Sequence, residues 1–165
     1  MATALSYPMI EFASGVFWLI SIIFVHGVGV RAIARWYNRR WAQVARAPRA
    51  WSVNLLFAAV IASLVVLHLV ETLACAVLIK YAGLIPIFRD AYYFTLESYT
   101  TLGTGIVNPP DDWRLLGPLI GVAGLFTFGW TSSLLVGVMT EISRLDRARA
   151  VREVREEQPP ASSEG

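Results

Sequence analysis

Three long apolar runs, residues 9–30, 53–79 and 115–140, constrain this chain more than any other feature. A helix needs about 20 apolar residues to cross a bilayer, and each run approaches or exceeds that length. Lipid offers the backbone no water to bond to, so a spanning segment closes its hydrogen bonds within itself as a helix. With 56% hydrophobic and 16% charged residues, the chain of 165 residues carries more apolar surface than a soluble core of its size can bury. The expectation is an all-α membrane protein with three transmembrane helices. The first run is read as a retained span, not a signal peptide, since no basic residue precedes it and an Arg-rich flank follows it.

The arginines set the topology. Arg31, Arg35, Arg39, Arg40, Arg46 and Arg49 lie between the first two spans, and Arg144, Arg147, Arg149, Arg152 and Arg155 follow the third. Between spans two and three only Lys80, Arg89 and Arg114 are basic. Cytoplasmic flanks carry the excess of Lys and Arg, so an outside N-terminus and a cytoplasmic C-terminus satisfy every loop. The segment 31–52 admits two readings. At helical spacing Ile33, Trp36, Tyr37, Trp41 and Val44 share a face opposite Arg31, Arg35, Arg39 and Arg46, with Arg40 breaking the pattern, which describes an amphipathic helix on anionic lipid at the inner surface, ended by Pro48. The other reading is a basic loop anchored by its Trp residues. The single cysteine, Cys75, lies within span two, where packing is its expected role.

Residues 91–107, AYYFTLESYTTLGTGIV, place a Thr/Gly-rich turn directly after a helical segment too short to cross a membrane. Leu84, Ile85 and Pro86 before it suggest an extended turret, Asp90 a helix N-cap, and Asn108 to Asp112 a rigid polar turn beyond it. Thr101-Leu102-Gly103-Thr104-Gly105 resembles the TVGYG selectivity filter of potassium channels. The resemblance runs from about Val53 to Thr140, where outer helix, pore helix, filter and inner helix follow in the family's order. It implies a domain plan of residues 1–52 as an additional helix and linker, 53–140 as the pore domain and 141–165 as a tail, disordered toward its end. It also implies a homotetramer in the cell membrane, since one chain supplies one pore loop.

What the resemblance implies for residues is specific. Carbonyls of Thr101, Leu102, Gly103 and Thr104, with the Thr101 hydroxyl, would face permeant K+ or Na+, and no other cofactor is implied; Gly103 and Gly105 supply the backbone freedom. Glu97, Thr100 and Ile106 are the implied filter supports, and Gly129 falls at the family's inner-helix hinge, with packing as the plainer reading. Trp130, Thr131, Ser132 and Ser133 would then border the inner cavity. Two departures bear on selectivity. Thr104 replaces an aromatic brace, and Ile106 replaces an aspartate that pairs with an acid at the position of Glu97 in some members. Glu97 is therefore expected either neutral and bonded to backbone behind the filter, or paired with Arg89 or Arg114.

His68 and Glu71 share one face of span two and are read as polar packing, a pH sensor or a metal site. Counting about 1.5 Å per residue puts Glu71 near the outer boundary, within reach of Lys80, and His26 about 9 Å below the midplane, so a joint site of His26 with His68 is not expected. Neither of the first two spans has a voltage sensor's spaced arginines, and no catalytic constellation or nucleic-acid motif appears, so the expectation is not an enzyme. Potassium conduction is the leading reading. The alternatives are a poorly selective cation channel, a non-conducting pore-like regulatory subunit, or a proton- or metal-linked transporter using His68 and Glu71; an external regulatory partner stays open.

Overall fold

The computed structural model describes residues 2–46 and 49–157. Four helices follow in order, α1 (Ala2–Val44), α2 (Ala50–Tyr81), α3 (Phe88–Tyr99) and α4 (Leu116–Glu157), with one 3-10 turn at Asp111–Trp113. No strand occurs among the described residues. The helices α1, α2 and α4 are long and apolar enough to cross a membrane. α3 is not: its 12 residues rise only about 18 Å against a hydrocarbon thickness of about 30 Å.

α2 ends where glycine allows it to. Gly83, at φ 75°, donates its N–H to the Lys80 carbonyl at 3.0 Å, and Leu84 donates to Ile79 at 3.2 Å, the paired bonds of a Schellman cap. The chain then turns compactly, and Ile85 is buried among Ile79, Ala91 and Leu116. The expected extended turret is therefore replaced by a tight turn, because burying Ile85 requires the connection to fold back on the bundle. α3 starts earlier than expected, with extended Ile87 as its N-cap and no side-chain cap. Asp90 thus does not cap the helix; it lies in the first turn, where its charge complements the partly positive helix end.

α1 is the wedge of the fold. It packs along both α2 and α4, which touch each other only slightly, while α3 fills the space between α2 and α4 at one end. Two apolar clusters result, one around Ile22, Ala76, Ile79, Phe94, Leu116 and Ile120 at the α3 end, the other around Val30, Tyr37, Val60, Leu64 and Val138 at the far end. Glu11 of α1 accepts the N–H of Leu115, satisfying a donor at the head of α4 that has no partner inside that helix.

The segment 31–44 is helical, yet it is a direct continuation of α1 and not a separate helix on the lipid surface. The face expected to lie on lipid, Ile33, Tyr37, Trp41 and Val44, packs instead against Leu56, Val60 and Val138, leaving Trp36 exposed. Nothing after Gly29 breaks the helix, and α2 and α4 offer it an apolar wall. Pro48, the expected terminator, and residues 158–165 of the expected disordered tail lie outside the described residues; up to Glu157 that segment is helix.

Candidate functional site

The loop after α3 begins as a helix cap. Thr101 donates its N–H to Ser98 at 3.0 Å and Leu102 donates to Glu97 at 2.8 Å, with Gly103 reaching the same Glu97 carbonyl at 3.4 Å. This is again the Schellman pattern, but its left-handed position is held by Thr101, at φ 58°. A β-branched residue there is strained by about 1–2 kcal/mol, which sequence reading, attending to the two glycines, missed. Gly103 at φ 57° and Gly105 at φ 69° follow, and Leu102 and Thr104 between them are not left-handed. Peptide planes that alternate in hand gather their N–H groups on one side and their carbonyls on the other. The amides of Thr101, Leu102 and Gly103 bond back to α3, and among the described residues nothing donates to the carbonyls of Thr101, Leu102, Gly103 and Thr104.

Of the three expected supports, Glu97 alone stands behind the loop. It is buried, and its carboxylate accepts the Thr104 hydroxyl; Tyr93, four residues earlier on the same face of α3, lies 3.1 Å from the same Thr104 oxygen. Neither expected partnership of the Glu97 carboxylate is formed: no backbone group and no arginine bonds to its oxygens among the described residues. Thr104, read in the sequence for the ring it lacks, supplies the hydroxyl that partners Glu97. Thr100 bonds back to Leu96 within α3, and Ile106, 75% exposed where Gly105 turns the chain outward, braces nothing within this chain.

α4 approaches this loop closely. A Cβ on Gly124 would sit 1.9 Å from the Tyr99 carbonyl oxygen, so only glycine permits this contact. Gly129 lies on the exposed side of α4, which runs through it as unbroken helix. Trp130 lies over Gly27 of α1 and lines an open pocket there with Ile20, Phe24 and Arg31, Thr131 is buried between helices, and Ser132 and Ser133 are exposed.

Between the two apolar clusters lies a polar ring. Glu71 meets His26 Nδ1 at 3.1 Å and accepts the Tyr99 hydroxyl at 3.1 Å; Tyr99 meets His68 Nδ1 at 2.8 Å; both histidines meet Thr131 Oγ1 through Nε2, at 3.2 Å for His26 and 3.1 Å for His68. His26 and His68 therefore do share a site, against expectation. The depth count took Val30 as the end of span one, whereas the helix continues unbroken to Val44, and the candidate span Met9–Val44 has His26 near its middle. Glu71 is buried and does not reach Lys80, whose amine lies over the Phe88 ring. Tyr99, the last residue of α3, joins this ring to the loop two residues on.

A family model described as an ion channel matches residues 55–141, from the first turns of α2 through α3 and the loop into α4. No curated protein and no solved structure matches the chain significantly. α1 lies wholly outside the matched segment.

Proposed function

The chain belongs to the ion-channel family whose model its residues 55–141 match, and from that premise we propose that four copies surround one axis as a potassium-selective pore. The observation that carries this reading is the run of four carbonyls, Thr101 to Thr104, to which nothing donates among the described residues, in a loop whose left-handed positions alternate and whose first amides are tied to α3. Such a row replaces part of an ion's water shell, and only several copies of it can surround an ion. The partly negative C-terminal end of α3 adds a favourable field for a cation at the start of the row. In a single chain Leu102 is 67% exposed, and Val122, Leu125, Phe126, Val136 and Met139 leave an apolar stripe open along α4. In this reading neighbouring copies cover these surfaces, and Gly129 within the stripe is the hinge of the inner helix.

The arginines of α1 and those near the end of α4 lie at the end of the bundle away from α3. In the proposed orientation that end is cytoplasmic, near anionic lipid, and α3 with its loop faces outside. The decisive measurement is current through purified protein in bilayers with unequal potassium and sodium. A reversal potential close to that of potassium is expected; no current, or a reversal potential insensitive to the potassium gradient, overturns the proposal. One observation favours a second reading, poorly selective cation conduction: Thr104 is held by hydrogen bonds and not by a packed ring. The same recording separates the two.

A further inference from the structure

The polar ring runs Glu71, His26, Thr131, His68, Tyr99 and back to Glu71, and it brings two imidazoles and a buried carboxylate together between the helices. Imidazole nitrogen and carboxylate oxygen are the donors that zinc-like ions take. We propose that His26, His68, Glu71 and Tyr99 form a binding site for a divalent transition metal of the zinc type.

The distances support four-coordinate binding. Donor atoms about 2.0–2.1 Å from a tetrahedral zinc lie about 3.4 Å from one another. Glu71 Oε2 lies 3.2 Å from His26 Nδ1, 3.1 Å from the Tyr99 oxygen and 4.0 Å from His68 Nδ1, and Tyr99 lies 2.8 Å from His68 Nδ1. One donor atom from each of His26, His68 and Glu71 falls within 4.8 Å of the others. Small shifts of the side chains therefore bring one ligand atom from each of His26, His68 and Glu71 to one centre, with the Tyr99 oxygen beside it for the fourth position.

The surrounding bonds fit as well. With metal on both Nδ1 atoms, each histidine carries its hydrogen on Nε2 and donates it to Thr131 Oγ1, the outer-shell bond that orients metal-bound imidazoles. The Tyr99 hydrogen turns to Thr127, 2.6 Å away, which itself donates to the Gly124 carbonyl. Two imidazoles select zinc-like ions over magnesium or calcium, which require oxygen ligands. The donors come from α1, α2 and α3, so a bound ion clamps the end of α3 to both long helices.

The test uses the full chain in detergent, stripped with chelator and then given cobalt(II) as probe. One cobalt per chain is expected, with the intense visible bands of four-coordinate cobalt, and X-ray absorption should show two imidazole nitrogens about 2.0–2.1 Å from a bound zinc. His26→Ala and Glu71→Gln should each lower retained metal at least tenfold, and Cys75→Ser should leave it unchanged. Folded protein that retains no metal, a weak six-coordinate cobalt spectrum, or retention undiminished in both variants overturns the site. If the variants fail to fold, X-ray absorption on the unmodified chain decides. None of these readings depends on current, so failure of the metal site and failure of the pore proposal are told apart.

Discussion

α2 and α3 end with the same pair of hydrogen bonds, yet the two ends are built for different purposes. At Gly83 the left-handed position is occupied by the residue that adopts it most easily, and a Cβ there would meet no atom within 4 Å. At Thr101 the same position carries a β-branched side chain, with Gly121 and Gly124 of α4 pressed against the helix end behind it. The first end is a turn. The second is a turn held under strain at the start of the Thr/Gly loop.

Closing α4 against α3 should be the most sensitive element of this difference. Gly124→Ala places a methyl group 1.9 Å from backbone and must drive the helices apart, at a cost of about 3 kcal/mol or more. Thermal stability of the purified protein followed by size exclusion should fall sharply; an unchanged midpoint would show that the second end is not confined by α4. Next in size is Thr104→Val, which leaves the buried Glu97 carboxylate without its donor and costs about 1–3 kcal/mol. Thr104→Ser should restore stability, and on the proposed function it should restore the reversal potential too. If Val behaves like Ser, the hydroxyl anchor is irrelevant.

At the relaxed end, Gly83→Ala should cost about 1–2 kcal/mol, the price of left-handed backbone alone, and leave ion preference untouched. A change in reversal potential would show that the two ends are coupled. The smallest stability effect is expected for Thr101→Gly: about 1–2 kcal/mol of strain is relieved, but glycine's greater freedom in the unfolded chain offsets about half of it. Thermal melting reads the net gain. A loss of stability would mean that the Thr101 side chain contributes packing that outweighs its strain.

Much of this was legible in the sequence, and the misses have a common cause. Run length gave the three spans, and the brevity of the segment before the Thr/Gly turn gave α3. Period and composition cannot say where a helix stops when its apolar face runs on beyond the first arginine, so α1 was cut at Val30 and His26 was assigned the wrong depth. Glu97 was matched only with charges and backbone, because Thr104 was read for the ring it lacks and not for the hydroxyl it has. The signal was present: Tyr93 and Glu97 stand four apart, both able to hold a hydroxyl between them.

The wedge position of α1 also bears on what can be transplanted. A segment cut to residues 55–141 would retain everything that resembles other channels and would lose the helix lying between its two long walls. Glu71 and Thr131 would each lose His26, and Leu115 would lose the Glu11 carboxylate. The recognisable part is thus not a self-sufficient cassette: here the added helix is a keystone, and a chimera that borrows the pore from this chain must borrow α1 with it.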